Sequence, residues 1–321
     1  MSQVSVIIPT RNRPQLVCIA VRSVLRQTLR DIEVIVVIDG PDVESQAALQ
    51  SLGDERVRVI SLEESVGGCE ARNIGIRAAA SPWVALLDDD DEWLTNKLER
   101  QLSLAPADAD PESLYLAVSR FIVRTPHAAD MVWPIRFPRP GEHISEYLFC
   151  TSRNVFQTST FLCTRALMLK VPFTTGLRRL QDWDWLLRAM ALPGVQLLTA
   201  PEALSVYALG MHATISKTYD WDASLQWGQS CRHLMTPRGY RGFIAKKCAA
   251  DAAQKNAALG DVWMLFKESA AGCGWRVREP LMFIFYYLLS PSRRHALGDR
   301  LFGWRKVKSG AKSSCFPLTD L

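Results

Sequence analysis

The sequence has few residues of the kinds that would announce a metal cage or a disulfide scaffold. Of 321 residues, eight are cysteine, and no two stand in a CxxC pair. That excludes a Cys-based metal or redox motif and a disulfide-stapled fold, and it reads as reduced thiols in a cytosolic setting. The five histidines, at 127, 143, 212, 233 and 295, are scattered. Charge of one sign is also lacking: 38 Lys and Arg against 33 Asp and Glu leave +5, too little to argue nucleic-acid binding. Met1-Ser2-Gln3 leads straight into a strand-like run, with no charged n-region, so no secretory signal is expected. The longest apolar run near the C-terminus, Leu281 to Leu289, is nine residues. As a helix it would cover roughly 14 Å, about half a bilayer core, so no transmembrane helix is expected. There is no internal repeat and no low-complexity segment. With 48% hydrophobic and 22% charged residues, the composition is ordinary and globular.

What is present is an alternation of two periods. Val4 to Ile8, Glu33 to Ile38, Val57 to Ile60 and Trp83 to Leu87 are short β-branched or apolar runs that read as buried strands. Between them lie helical patterns: one opening at Pro14, one over Val43 to Leu52, and one opening at Gly67-Gly68. Strand–helix alternation predicts an α/β fold, with a mostly parallel central sheet and helices on both faces. Ligands of such sheets bind beyond the carboxyl ends of the strands. The polar residues there are Thr10 and Arg11, Asp39, and Asp88 to Asp91. After residue 105, prolines punctuate short runs, which predicts irregular strands and loops. A helix is expected over Asp182 to Ala191, and the chain from Trp221 onward reads as helix-rich and basic.

Four consecutive aspartates after a buried strand repel one another. A solvated turn or a helix cap at Asp91 or Thr95 would need only one. A hard divalent cation, Mn²⁺ or Mg²⁺, would relieve the repulsion, binding one or two carboxylates together with a substrate diphosphate.

Four motifs taken together carry a resemblance: Val4-Ser5-Val6-Ile7-Ile8-Pro9-Thr10-Arg11-Asn12, Val36-Val37-Ile38-Asp39-Gly40, Ala71-Arg72-Asn73-Ile74-Gly75, and Leu87-Asp88-Asp89-Asp90-Asp91-Glu92-Trp93. In this order and spacing the chain resembles the family 2 glycosyltransferases, inverting enzymes of the GT-A fold. The resemblance covers about the first 220 residues. It implies a catalytic domain over 1–220, with a nucleotide-sugar-binding half (1–105) and an acceptor-binding half (106–220), followed by a helical basic region over 221–321. It implies that Pro9, Thr10 and Arg11 line the nucleobase pocket and that Asp39 accepts a hydrogen bond from a pyrimidine, although Ile38 and Pro41 depart from the family's Asp-Asp-Gly-Ser turn. Arg72 and Asn73 would lie over the nucleotide. Asp88, with Asp89, would lean toward the ribose or sugar. Asp90 would ligate the metal, with Asp88, Asp91 and His212 as further candidates. Trp93 is read as packing the turn.

Inverting transfer needs a base opposite the departing diphosphate. Gln181-Asp182-Trp183-Asp184 resembles the family's Glu-Asp segment at a helix start, which makes Asp182 the base and Asp184 the fallback. The implied reaction moves a sugar from a nucleotide-diphosphate sugar, UDP-linked, to a saccharide or polyprenyl-linked acceptor. Two rival readings are a metal-dependent nucleotidyltransferase and a non-catalytic nucleotide-sugar binder. The first expects a glycine-rich loop where Thr10-Arg11-Asn12-Arg13-Pro14 stands. The second expects a damaged acidic motif. Residues 276 to 312 hold nine Lys and Arg against Glu279 and Asp299. They read either as a packed helix with a solvated tail or as a peripheral anchor on an anionic membrane surface. No nucleic-acid partner is expected.

Overall fold

Val4, Val6 and Ile8 point to one side of the first strand and Ile7 to the other, and all four are fully buried. A strand apolar on both faces belongs in the middle of a covered sheet. The structure, a computed structural model, describes residues 2–106, 110, 112–126, 128–151, 153–209, 219–272 and 278–289. In it β1 (Val4–Thr10) lies between β2 (Ile32–Ile38) and β4 (Trp83–Leu86), parallel to both. β3 (Val57–Ser61) extends the parallel set beyond β2.

The helices of this half are α1 (Pro14–Leu25), α2 (Val43–Gln50) and α3 (Gly68–Ala78). Pro14 opens α1, where a missing N–H costs nothing. The side chain of Asp42 caps α2 by accepting from the Ser45 N–H at 3.0 Å. Val17, Ala20, Val21 and Val24 of α1 pack on Val4, Val6 and Ile8 on one face of the sheet. Cys69, Ala71 and Ile76 of α3 pack with Ile7, Ile35 and Val37 on the other. The α/β expectation with helices on both faces holds.

The chain from the acidic turn onward is more regular than the prolines after residue 105 suggested. β5 (Asp91–Trp93) follows the acidic turn, and α4 (Lys97–Leu102) follows β5. β6 (Tyr115–Thr125) and β9 (Gln196–Ala208) are the longest strands and run parallel to each other. β7 (Ala128–Trp133) and β8 (Leu162–Thr164) join antiparallel, and β8 links β4 to β6. The path is β3-β2-β1-β4-β8-β6-β9-β5, with β7 beside β6. The prolines fall mostly in the connections, where no ladder hydrogen bond is lost. The remaining helices before residue 200 are α5 (Ile144–Phe149), α6 (Arg165–Lys170) and α7 (Gln181–Met190).

Beyond the sheet lie α8 (Trp221–Ser230), α9 (Pro237–Phe243), a π-helical turn (Ile244–Cys248), α10 (Ala249–Gln254), α11 (Leu259–Ala270) and α12 (Arg278–Leu288). They have no core of their own. Trp227, Phe243, Ile244 and Leu265 join the cluster that holds Trp185 and Phe149, and the rings of Phe149 and Phe243 stand 5.2 Å apart, edge to face. Residues 1–288 form one compact unit. Among the described residues, no helix is long and apolar enough to cross a membrane.

Helix α3 sits unusually close to β1. A Cβ built at Gly75 would stand 2.4 Å from Ile7 Cγ2 and 3.2 Å from Val37 Cγ2. Gly75→Ala is therefore predicted to overpack this contact and cost about 1–3 kcal/mol, despite alanine's better helix propensity. Urea denaturation checks this; an unchanged or raised midpoint would refute it.

Candidate active site

The strand ends converge as the topology requires, and hydrogen bonds tie them into a net. At the end of β1, Thr10 Oγ1 donates to Asp89 at 2.7 Å. Arg13, the N-cap of α1, donates from one Nη1 to Asp89 at 2.8 Å and to Asp90 at 3.3 Å. Arg72 of α3 pairs with Asp88 and also donates to Gln181 Oε1 at 2.8 Å. Its guanidinium thereby joins the acidic turn after β4 to the first residue of α7.

The four aspartates are not equivalent. Asp88 and Asp90 keep 29% and 15% of their side chains open, whereas Asp89 keeps 9%. Asp91 is buried and accepts from Ser159 Oγ at 2.6 Å. Ser159 Oγ also accepts the N–H of Asp88 at 3.0 Å, so one buried hydroxyl shapes both ends of the turn. Trp93 packs beneath it, donating from its indole to Ser159 O at 2.8 Å, as expected for a packing residue. Burial pushes the Asp90 carboxyl up to about 6, and the charges of Asp88 and Asp89 push the same way. The alternating pair left most open is therefore Asp88 and Asp90. Among the described residues, no group of three or more His, Cys, Asp or Glu converges to hold a metal. Two half-open carboxylates suit a hard cation that completes its shell with diphosphate and water, not one caged by protein alone. The donor set fits Mn²⁺ or Mg²⁺ in that manner, with Asp90 and Asp88 as the holders.

Asp182 stands in the first turn of α7, beside Gln181. Burial pushes its carboxyl up to about 6; the Trp183 N–H opposes this, and the charge of Asp88 adds to it. Asp182 thus lies within electrostatic reach of both Asp88 and Arg72. The residue before this helix, Leu180, has a left-handed backbone at φ 61°. Such a conformation costs a bulky residue about 1–3 kcal/mol, and it marks the turn that delivers Asp182.

Several expected site residues are placed otherwise. Asp184, the fallback base, is buried and committed. Its Oδ2 accepts from Thr174 at 2.7 Å and from Arg188, and its Oδ1 accepts from the Trp227 indole of α8 at 3.1 Å. One helical turn puts residues two apart on different faces, so Asp184 points into the protein while Asp182 does not. Asn73 is likewise spent. It donates to Phe173 O at 2.9 Å, accepts from the Phe173 N–H at 2.8 Å, and holds Glu70. It clamps the loop at Phe173, which leaves its amide engaged within the protein. Asp89 is turned into the Thr10–Arg13 contact and Asp91 into the Ser159 contact, away from the cleft.

Asp39 accepts the N–H groups of Val66 and Gly67 at 2.6 and 3.1 Å and the Ser65 hydroxyl at 2.9 Å. Its carboxylate is occupied in holding the 65–67 loop. Arg11 reaches the same Ser65 at 2.6 Å, so Arg11, Ser65 and Asp39 form one wall, with Pro9 and Thr10 behind it. His212 lies outside the described residues, as does most of 276–312.

Sequence reasoning missed Arg13 as a partner of the acidic turn, since next to Pro14 it reads as a plain helix cap. Tyr207 is legible in sequence only as the end of Leu204-Ser205-Val206-Tyr207, a segment that the resemblance sets over the diphosphate. Register sets Tyr207 opposite Asp91 across β5 and β9. Burial raises its phenol, and the charges of Asp91, Asp90, Asp182 and Asp88 add to the rise. That it meets the acidic turn is decided by the strand pairing.

The profile of the family described as Glycosyl transferase family 2 matches residues 5–177, which spans the strand ends, Arg72 and the acidic turn. The chain belongs to that family. Among this glycosyltransferase's relatives is the amylovoran biosynthesis glycosyltransferase AmsB of Erwinia amylovora, 28% identical over 249 residues, 76% of this chain and 82% of AmsB. Another is the UDP-Glc:alpha-D-GlcNAc-diphosphoundecaprenol beta-1,3-glucosyltransferase WfgD of Escherichia coli, 33% identical over 101 residues, 32% of this chain and 40% of WfgD. Of solved structures, residues 1–349 of S. aureus TarS in complex with UDP-GlcNAc match with a TM-score of 0.58 at 15% identity, covering 94% of this chain and 92% of that one. The mannosyltransferase PcManGT of Pyrobaculum calidifontis, with GDP-Man and Mn²⁺, matches with a TM-score of 0.50 at 16% identity, covering 94% and 87%. At these identities the likeness concerns the fold, which is GT-A.

Two aspartates two residues apart are predicted to behave oppositely in stability. Asp184→Ala strands the Arg188 guanidinium and the Trp227 indole and should cost about 2–3 kcal/mol, a value discounted because Arg188 is partly exposed. Asp182→Asn should stay within about 1 kcal/mol of the parent. Guanidinium denaturation of both variants checks this, and equal losses would overturn the assignment of faces.

Proposed function

We propose that this glycosyltransferase is an inverting, metal-dependent enzyme that transfers a sugar from a UDP-sugar to a saccharide or polyprenyl-linked acceptor in polysaccharide synthesis. The observation that carries the reading is the bridge made by Arg72 between Asp88 and Gln181. It ties the turn that carries Asp88 and Asp90 to the start of the helix that carries Asp182, which supports reading the three carboxylates as one site.

In this reading the 65–67 loop held by Asp39 forms one side of the base pocket, with Pro9, Thr10 and Arg11 beside it. Asp88 and Arg72 orient the ribose and diphosphate. Asp182 accepts the proton of an acceptor hydroxyl as that oxygen bonds to the anomeric carbon. The bond from that carbon to the diphosphate oxygen breaks on the opposite face, so configuration inverts. When bound between Asp90 and Asp88, Mn²⁺ or Mg²⁺ would supply charge neutralisation for the departing diphosphate. A lipid-linked acceptor is suggested by the name of the WfgD relative. The proposal sets the reaction in the cytosol, where the free thiols of Cys69, Cys150 and Cys163 would stay reduced. Incubation with Mn²⁺ and a panel of nucleotide sugars, read as released nucleoside diphosphate, tests the reaction class. Release of pyrophosphate from a sugar phosphate and a nucleoside triphosphate would instead mark a nucleotidyltransferase.

Asp182→Asn is predicted to lower turnover about 10²–10⁴-fold while calorimetric UDP affinity stays as in the parent. The base works deprotonated, and its folded carboxyl sits at about 6. The parent's rate should therefore fall as pH drops through that value. A variant with near-normal turnover would put the base elsewhere.

Excess EDTA should abolish release, and added Mn²⁺ should restore it in the parent but not in Asp90→Asn, whose melting temperature should not fall. Turnover at the parental rate in EDTA would refute the metal assignment.

A further inference from the structure

The two last described helices are apolar on the side that faces away from the protein. On α11 the outward positions include Leu259, Trp263 and Met264, exposed by 83%, 57% and 42%. The outward row of α12 is Leu281, Ile284 and Leu288, at 59%, 43% and 67%. Spacings of three and four residues put the α12 set along one helical face; on α11 Leu259 and Trp263 share a face and Met264 flanks it. The inward faces are fully used: Leu265 and Phe283 are buried in the main core, and Glu279 is buried beside Arg238. The helices are packed side by side, with Phe266 against Phe283 at 5.6 Å and Trp263 stacked on Phe266 at 5.6 Å. Water gains nothing from six large apolar side chains on adjacent helices, and a patch of this kind marks an interface.

We propose that the outer faces of α11 and α12 dock on an anionic lipid bilayer. Charge selects this occupant. The exposed residues of these helices include Lys267 and Arg278, the latter also donating to Cys150 O at 2.8 Å, while the acids of α11, Asp261 and Glu268, are half-buried. The chain that follows directly, residues 290–312, carries seven Lys and Arg against Asp299 alone. Two copies would each carry this basic segment, and like charge disfavours their pairing. A bilayer rich in anionic lipid instead meets apolar side chains with its acyl boundary and basic ones with its headgroups. Trp263, with Lys267 5.6 Å from its ring, is of the aromatic type that settles at that boundary. The surface stands independently of the donor and base assignments, and its test uses no turnover.

The full chain should co-sediment with vesicles of phosphatidylcholine and phosphatidylglycerol in equal parts, and about tenfold less with phosphatidylcholine alone. The double variant Leu281→Ser and Leu288→Ser should partition about tenfold less into the mixed vesicles, with an unchanged melting temperature. These positions are exposed, so folding should survive. A second measurement covers the case where it does not. Lipids brominated in the upper acyl chain should quench part of the parent's tryptophan fluorescence, and that part should vanish in Trp263→Phe. Equal sedimentation of parent and double variant would overturn the proposal. So would quenching untouched by Trp263→Phe, or a concentration-dependent dimer that the double variant abolishes.

Discussion

Four carboxylates in a row at the end of a buried strand cannot coexist without partners, and the architecture of the catalytic half answers that constraint. Two cations arrive from different elements. Arg13 comes from the start of α1 and holds Asp89 and Asp90, while Arg72 comes from α3 and holds Asp88. A buried hydroxyl, Ser159, takes Asp91. Two arginines against four aspartates leave the turn short of positive charge, and Asp88 and Asp90 are the members whose side chains stay most open. The proposed metal and diphosphate site is placed there for that reason.

The same net reaches Asp182, the proposed base. Through Gln181, Arg72 connects the acidic turn to α7, and Asp184 connects α7 to α8 through the Trp227 indole. A second tie runs from Arg179, just ahead of α7, to the buried Asp251 of α10 at 3.4 Å. The C-terminal helices therefore brace the segment that carries Asp182 from behind, while α3 braces it from the front. A side chain placed from two sides in this way is held in a narrow range of orientations, which general-base geometry requires. That shared bracing also explains why the region after residue 220 merges into the catalytic core.

Much of the site was legible before any coordinates. The β-branched runs closed by Pro9, Asp39 and Asp88 named three adjacent strand ends, because a parallel sheet delivers its strand termini to one edge. The resemblance added Arg72 and Asp182. What could not be read was which polar atoms were already spoken for. Asn73 looks like a ligand-facing amide in sequence, yet it is consumed by the backbone of Phe173, a hundred residues away. Asp39 looks like a hydrogen-bond acceptor for a base, yet its oxygens are filled by Ser65, Val66 and Gly67. The long strands β6 and β9 were hidden because prolines in their connections, and Pro201 within β9 itself, masked the strand pattern.

Local patterning by itself determined the strand–helix alternation, the parallel order of the first strands, the acidic turn and the start of the base helix. These depend on neighbours within a few residues, where propensity and period act. Tertiary structure alone decided which member of each polar set faces the cleft: Asp88 and Asp90 over Asp89 and Asp91, and Asp182 over Asp184. It also decided the arrival of Arg13 and Tyr207 and the exposure of Trp263 and Leu281. The physical reason is one throughout. A polar or apolar side chain has a fixed capacity for contacts, and only the folded chain shows whether distant residues have already used it.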